Sequence, residues 1–335
     1  MEYRILGKTG LSVSKLGFGG IPIQRIDAAG THVLMEKLME DGINYIDTAR
    51  GYTVSEAYLG EALEGIRDKF ILATKSMARD KAGMAKDIEI SLSNLRTDYI
   101  DLYQVHNPSM AQLEQITGKD GALEALVEAK SAGKIGHIGL TAHSAEVFEK
   151  ALELDWVETI MFPYNIVETH GEDLIARCAE KNIGFIDMKP LAGGAIEDAT
   201  LAMRFVSQNP NVSVTIPGMA EIGELTQNLA AVNDTAPLSC GELAKVDTIR
   251  KSLGTQFCRR CGYCAPCTVG IIIPNMFVFE GYLERYGLAD WAKGRYEAQA
   301  KVASDCIGCG VCETRCPYHL PIREMLKHTA AAFGK

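Results

Sequence analysis

The sequence predicts an α/β protein: a (β/α)8 TIM barrel over residues 1–237, then an α-helical C-terminal module over 238–335. Three observations carry that prediction. Short β-rich runs alternate with amphipathic helical stretches through the first 237 residues, and strands that are apolar along their whole length belong to parallel sheets covered by helices. Eight strand–helix units in about 230 residues fit a closed barrel better than an open doubly wound sheet. No G-x-G-x-x-G turn opens a helix after the first strand, which argues against a doubly wound dinucleotide fold.

Taken in order, residues 1–6 and 13–15, joined across Gly7-Lys8-Thr9-Gly10, read as a small hairpin ahead of the first repeat. The eight core strands are expected at 16–18, 43–47, 70–74, 100–105, 137–140, 159–162, 185–188 and 214–216. Helical patterns fall between them at 32–40, 55–64, 85–95, 123–131, 145–152, 171–181, 201–207 and 222–231. After Pro237 the pattern changes. Residues 241–257 read as one helix leading away from the barrel, and 275–304 as helical, with Phe277, Leu283, Tyr286 and Trp291 as apolar anchors.

Composition narrows the function classes. Hydrophobic residues make up 47% and charged residues 23%, an ordinary globular balance. A formal charge of −9 argues against nucleic acid or an anionic membrane surface as partner, since both select a basic face. The longest apolar run, 269–273 with 276–279 after it, is too short and too interrupted by Pro274 to span a bilayer. With no basic start, apolar run and small-residue cleavage site at the N-terminus, secretion is not expected, and the unpaired thiols point to a reducing cytoplasm.

Eight of the ten cysteines form two sets of four. The first is Cys258, Cys261, Cys264 and Cys267; the second, after 38 intervening residues, is Cys306, Cys309, Cys312 and Cys316, followed by Pro317. The second set has the C-x2-C-x2-C-x3-C-P spacing of bacterial ferredoxins, so the module reads as ferredoxin-like with two 4Fe-4S clusters. In two-cluster ferredoxins the last cysteine of each run crosses over. Applied here, one cluster takes Cys258, Cys261, Cys264 and Cys316, and the other Cys306, Cys309, Cys312 and Cys267. The first set departs from the pattern, with two residues before its last cysteine and Thr268 in place of proline. A structural zinc on the first four cysteines is therefore the rival. Of the remaining two, Cys178 reads as core packing and Cys240 carries no assignment.

Catalytic side chains in such a barrel stand at the C-terminal ends of strands and on the loops that follow. Asp47 ends the second expected strand, Lys75 the third and His106 the fourth. Singly, these read as a helix cap, a rim charge and a satisfied core histidine; together they read as a site. The motifs Gly17-Phe18-Gly19-Gly20, Asp47-Thr48-Ala49 with Tyr52, Ser55-Glu56, Lys75, His106, Tyr164-Asn165 and Ile216-Pro217 resemble the aldo-keto reductase family over nearly all of 1–237. With the cysteine module, the chain resembles the subgroup carrying a ferredoxin-type extension. The resemblance implies a catalytic tetrad of Asp47, Tyr52, Lys75 and His106. Physical logic agrees: a carbonyl receiving hydride needs a proton at oxygen, tyrosine is a weak acid near neutrality, and a cationic Lys75 held by Asp47 favours the phenolate. His106 is expected to orient the carbonyl and stabilise the developing charge.

Cofactor contacts match less well. The resemblance implies NAD(P)H, with Asn228 matching the family's adenine-side asparagine; Gly20 and Gly193, which let the backbone approach a cofactor closely, and Leu191 beside them are the other expected cofactor-binding residues. Thr141-Ala142, Met161 and Met188 replace the family's usual nicotinamide contacts, and Gly218 and Glu224 replace two cations that read a 2′-phosphate. NADH is therefore expected over NADPH. Because clusters pass single electrons and hydride carries two, a flavin bound near Lys189 and Gly193-Gly194 is the alternative cofactor.

The expected function is an oxidoreductase reducing a carbonyl, or oxidising an alcohol, with Tyr52 as proton donor and with its clusters coupled to a ferredoxin-like electron carrier. The competing expectations are a non-catalytic electron-transfer subunit built on a barrel scaffold, and an enzyme whose clusters serve only as structural staples.

Overall fold

The computed structural model describes residues 1–335. The chain divides into two units. The first comprises Met1–Asn165, Thr169–Pro190 and Ala199–Pro237; the second comprises Ile166–Glu168, Leu191–Asp198 and Leu238–Lys335. Two stretches that precede residue 238 in sequence thus group with the C-terminal module.

In the first unit, β1 (Tyr3–Ile5) and β2 (Ser12–Ser14) form an antiparallel hairpin. Eight parallel strands follow: β3 (Phe18–Gly19), β4 (Tyr45–Asp47), β5 (Ile71–Ser76), β6 (Ile100–His106), β7 (Ile135–Thr141), β8 (Thr159–Pro163), β9 (Gly184–Met188) and β10 (Val214–Ile216). Each pairs with its successor, and bridges Leu16–Thr215 and Gly19–Gly218 join the first strand to the last. The sheet is therefore a barrel. The first strand lies at 18–19 rather than 16–18, because its pairing narrows to β4 at Phe18 and Gly19 while Leu16 touches only the last strand.

Strands β4 and β8 are buried at every position, as a sheet covered on both faces requires. Inside the barrel, Tyr45, Ala73, Leu102, Met161, Ile186 and Val214 pack with Leu6 and Val13 from the hairpin region, which closes the end where the strands begin. The covering helices are α1 (Ala28–Glu40), α2 (Ser55–Ala62), α3 (Lys81–Asn94), α4 (Met110–Thr117), α5 (Ala122–Ser131), α6 (Ala145–Ala151), α7 (Glu172–Glu180), α8 (Ala199–Ser207) and α9 (Ile222–Asn233). Helices α1 and α3 begin about four residues before the expected positions, since Asp27 and Asp80 cap them by accepting from Gly30 and Gly83 backbone N–H groups. Helix α4 was not among the expected elements; a capping box between Ser109 and Gln112 starts it.

The second unit contains α10 (Cys240–Gly254), α11 (Ile273–Glu284), α12 (Ala289–Glu297), α13 (Val311–Thr314) and α14 (Ile322–Ala332). The expected continuous helix over 275–304 is instead α11 and α12, separated by a turn in which Gly287 has φ +65°. Of the four expected anchors only Phe277 is fully in the core; Leu283, Tyr286 and Trp291 are half-buried. The interior is made by Ile273, Met276, Phe279, Tyr296, Ile322 and Leu326, with Cys264, Cys312 and Cys316 among them and Cys258, Cys267 and Cys306 packed against them. No helix is long and apolar enough to cross a membrane.

Candidate functional site

Strand register brings the polar strand-end residues together. Asp47 stands opposite Ala73, Lys75 opposite Gln104, and His106 opposite Thr141. With a period of two, Asp47, Lys75, Gln104 and His106 share the interior face at the strands' C-terminal ends. The Lys75 ammonium donates to Asp47 Oδ1 and, at 2.8 Å, to the Thr48 carbonyl. Gln104 Nε2 donates to Asp47 Oδ2 at 3.1 Å, so both carboxylate oxygens are held. Lys75 Nζ lies 5.1 Å from the centroid of the Tyr52 ring, and the Tyr52 and His106 rings meet edge-on at 6.3 Å. The structure thus assembles all four expected tetrad residues. Asp47 and Lys75 are 3% and 2% exposed, whereas Tyr52 and His106 are half-buried. Burial pushes the Asp47 carboxyl up and the Lys75 ammonium down, each partly offset by its partner.

Tyr52 is placed by a loop with its own clamp. Arg50 donates its backbone N–H to the Lys75 carbonyl at 3.0 Å, and Ser55 its N–H to the Tyr52 carbonyl at 2.8 Å. Glu56, 1% exposed, accepts from Arg50 at 2.8 Å, Thr74 at 2.8 Å, Ser91 at 2.8 Å and Asn94 at 3.1 Å. Sequence reasoning named Ser55-Glu56 only as a motif and missed this role. It also missed Gln104, which the alternation 102, 104, 106 along β6 would have placed on the site's face. A third omission is Arg79, whose Nη2 donates to the His106 carbonyl at 2.8 Å and which burial pushes down to about 10.

The expected cofactor residues divide between the units. Gly20 and Asn228 lie in the first, Leu191 and Gly193 in the second. Gly20 donates its N–H to the Asp47 carbonyl at 2.8 Å, and a Cβ there would stand 2.8 Å from that same oxygen, so the tetrad's own backbone demands glycine. Asn228 is 5% exposed. Gly193 accepts from Arg285 Nε at 3.0 Å, and its Cα faces the Tyr286 hydroxyl. At Gly218 a Cβ would meet Pro22 at 2.8 Å, leaving no room for a lysine. Glu224 caps α9 by accepting from the Ala220 and Glu221 N–H groups at 2.6 and 3.2 Å. Met161 is buried and Met188 half-buried.

In the second unit the thiols sort into two groups. A pocket partly open to solvent is lined by Cys267, Cys306, Cys309 and Cys312, together with Pro266, Ile273, Leu326 and Arg323. The Thr268 hydroxyl lies 3.4 Å from Cys309 Sγ. Cys267 therefore faces the second run rather than its own. In the other group, burial pushes Cys264 up to about 12, with repulsion from Cys258 and Cys261 adding to it. Burial likewise raises Cys261, with a further push from Cys316. All-thiol donor sets in apolar surroundings, arranged as these two groups, suit iron–sulfur clusters. Cys178 is fully buried in the barrel core, as expected, and Cys240 is exposed.

The Glu280, Glu284 and His328 side chains also converge, on α11 and α14, but His328 Nδ1 is taken up by Glu280.

Comparison with known proteins places these features. Residues 15–201 match the aldo/keto reductase family, and residues 257–321 match a 4Fe-4S dicluster domain. L-galactose dehydrogenase of Arabidopsis thaliana is 28% identical over 306 residues, covering 74% of this chain and 94% of the relative. The aldo-keto reductase YhdN of Bacillus subtilis is 32% identical over 201 residues, covering 54% of this chain and 59% of the relative. Among solved structures, the holo form of aldo-keto reductase AKR11C1 from Bacillus halodurans is similar with a TM-score of 0.64 at 26% identity, over 74% of this chain and 96% of that one.

Proposed function

Because the chain belongs to the aldo/keto reductase family and carries a 4Fe-4S dicluster domain, we propose that it reduces a small carbonyl compound, or oxidises the corresponding alcohol, with Tyr52 as the proton donor. The observation that carries this reading is the Lys75 ammonium, held on one side by Asp47 and lying 5.1 Å from the Tyr52 ring on the other. A nicotinamide, when bound, supplies the hydride. As the carbonyl oxygen gains charge, Tyr52 gives its phenolic proton to that oxygen and becomes a phenolate, which the nearby ammonium stabilises. Water then restores the phenolic proton. His106, edge-on to Tyr52, donates a hydrogen bond that orients the carbonyl. Arg79 and Gln104 are positioning residues: one holds the His106 carbonyl, the other the second oxygen of Asp47.

Tyr52→Phe should lower turnover of a broad aldehyde panel by about 10²–10⁴-fold. Turnover within a few-fold of the parent would remove Tyr52 from the role.

NADH is the preferred nucleotide in this reading. Glu224 carries a carboxylate, with Arg25 3.8 Å from it, and Pro22 fills the space that a lysine at 218 would need, so positions 218 and 224 lack the paired cations that hold a 2′-phosphate. Titration in which NADPH binds tighter than NADH would refute it. Two clusters complete the molecule, on Cys258, Cys261, Cys264 and Cys316 and on Cys306, Cys309, Cys312 and Cys267. The second set is supported by the pocket that gathers Cys267 with the later run, an arrangement unsuited to zinc on the first four cysteines. When bound, the clusters supply one-electron transfer, and their partner would be a ferredoxin-like carrier. Redox titration tests the coupling: clusters that stay silent through substrate turnover are staples, not carriers.

A further inference from the structure

Four cationic side chains are buried in this chain: Lys15, Lys75, Arg204 and Arg259. Three have a carboxylate beside them: Lys15 has Glu2 at 3.1 Å, Lys75 has Asp47, and Arg204 has Asp234 at 3.0 Å. Arg259, 8% exposed, is held differently. Its Nη1 donates to the Gly254 and Phe257 carbonyls at 3.0 and 3.2 Å, and its Nε to the Val167 carbonyl at 3.4 Å. Its guanidinium lies 4.0 Å from the centroid of the Tyr318 ring. Carbonyl dipoles and a ring face fix a cation in place without cancelling its charge, and a buried charge calls for a counter-charge.

The surroundings say where that counter-charge belongs. Arg259 follows Cys258 directly and precedes Cys261 by two residues, and the tyrosine it stacks on comes two residues after Cys316. The guanidinium is thus bracketed by both arms of one thiol group. We propose that Arg259 is the built-in counter-cation of the cluster held by Cys258, Cys261, Cys264 and Cys316, and that its charge sets that cluster's reduction potential. The proposal rests on the two-cluster reading above. A thiolate-ligated cluster is anionic and gains one further negative charge on reduction, so a fixed cation beside it favours the reduced form.

The neighbouring residue is an internal control. Arg260 pairs with Glu168 at 2.5 Å, with the two side chains 9% and 0% exposed. Its charge is already cancelled, so removing the pair together leaves the local net charge unchanged.

The test is a dithionite titration of the anaerobically purified full chain, monitored by electron paramagnetic resonance, with iron and sulfide measured on every sample. In Arg259→Met one cluster signal should become harder to reduce. At a fixed potential its oxidised-to-reduced ratio should rise at least about tenfold, or about 59 mV for one electron, while the other signal stays put. The double variant Glu168→Gln/Arg260→Met should titrate close to the parent. Should Arg259→Met fail to assemble its cluster, Arg259→Lys, which keeps the charge, should assemble it and titrate near the parent. An Arg259→Met protein with full iron and sulfide and an unmoved or raised potential overturns the proposal. So does a lysine variant that behaves like the methionine one. A parent protein free of iron and sulfide sinks the cluster reading itself, and this proposal with it.

Discussion

Lys75→Met isolates the buried half of the tetrad. The substitution keeps most of the side-chain volume and removes the charge, leaving Asp47, 3% exposed, with Gln104 Nε2 at 3.1 Å as its remaining side-chain partner. Both members of the pair are almost completely buried, so no allowance for solvent screening applies, and breaking such a pair costs about 3–5 kcal/mol. Replacing both partners, as Asp47→Asn with Lys75→Met, should cost far less, within about 2 kcal/mol of the parent, because no buried charge is stranded. The penalty in Lys75→Met also has a pH sign. Burial already raises the Asp47 carboxyl, with Lys75 opposing the shift. Without Lys75 it rises further. A carboxyl whose folded value lies above its unfolded value favours the fold below the unfolded value and loses that contribution as pH rises through the folded one. The variant should therefore lie closest to the parent at low pH and fall away as pH rises above the unfolded carboxyl range. Urea unfolding followed by Trp156 fluorescence in a Trp291→Phe background reports on the barrel alone, since these are the only two tryptophans. If Lys75→Met matches the parent at pH 8, or the double variant loses the sum of the single losses, the pair is not the uncompensated buried contact described here.

Two further outcomes test other parts of the reading. Cys267→Ser and Cys316→Ser should each remove about half the iron and sulfide, and Cys267→Ser/Cys306→Ser should lose no more than Cys267→Ser alone, whereas Cys267→Ser/Cys264→Ser should lose nearly all; equal loss in the two double variants would refute the crossed thiol sets. Glu158 gives a stability test away from the site. Burial raises its carboxyl, but hydrogen bonds from His137 at 2.7 Å, Lys130 at 2.6 Å and the Ile138 N–H at 2.9 Å outweigh it and bring it down to about 2. A depressed carboxyl stabilises the fold above its unfolded value and loses that contribution as pH falls through the folded value. Glu158→Gln should therefore cost about 1–2 kcal/mol at pH 7, after allowing for partial solvent screening. The gap to the parent should close between about pH 4.5 and 2; a pH-independent gap would show that the carboxylate charge is not what stabilises.

Much of this was legible in the residue order because the signals are local. Cysteines separated by two or three residues and ending in Cys316-Pro317 need no tertiary information, and polar residues ending apolar strands stand out at 47, 75 and 106. What escaped is non-local. Alternation along β6 puts Gln104 on the same face as His106, but only the pairing of strands sets it opposite Lys75 and within reach of Asp47. Arg50 and Glu56 form a clamp only once Thr74, Ser91 and Asn94 arrive from β5 and α3. The grouping of Ile166–Glu168 and Leu191–Asp198 with the C-terminal unit depends on contacts such as Arg260 with Glu168, 92 residues apart. Helix α4 was missed although its capping box is local, because 110–117 has only two fully buried positions, Leu113 and Ile116, to mark a face.

Two buried charge arrangements in the chain occur where chemistry is expected. Burial displaces both Asp47 and Lys75 toward their neutral forms, so at neutral pH the ion pair works against folding rather than for it. A well-packed apolar pair would serve stability better. Arg259 is the parallel case, a buried guanidinium whose protein partners are three carbonyls and a ring. A selected fold keeps such arrangements where the missing stabilisation arrives with function. In the proposed reaction, Lys75 would receive it from the phenolate formed on Tyr52 during proton transfer. Under the proposal above, Arg259 would receive it from the anionic cluster on Cys258, Cys261, Cys264 and Cys316. In each, the charge is in place before the group that needs it, so no reorganisation is required when that group forms or binds.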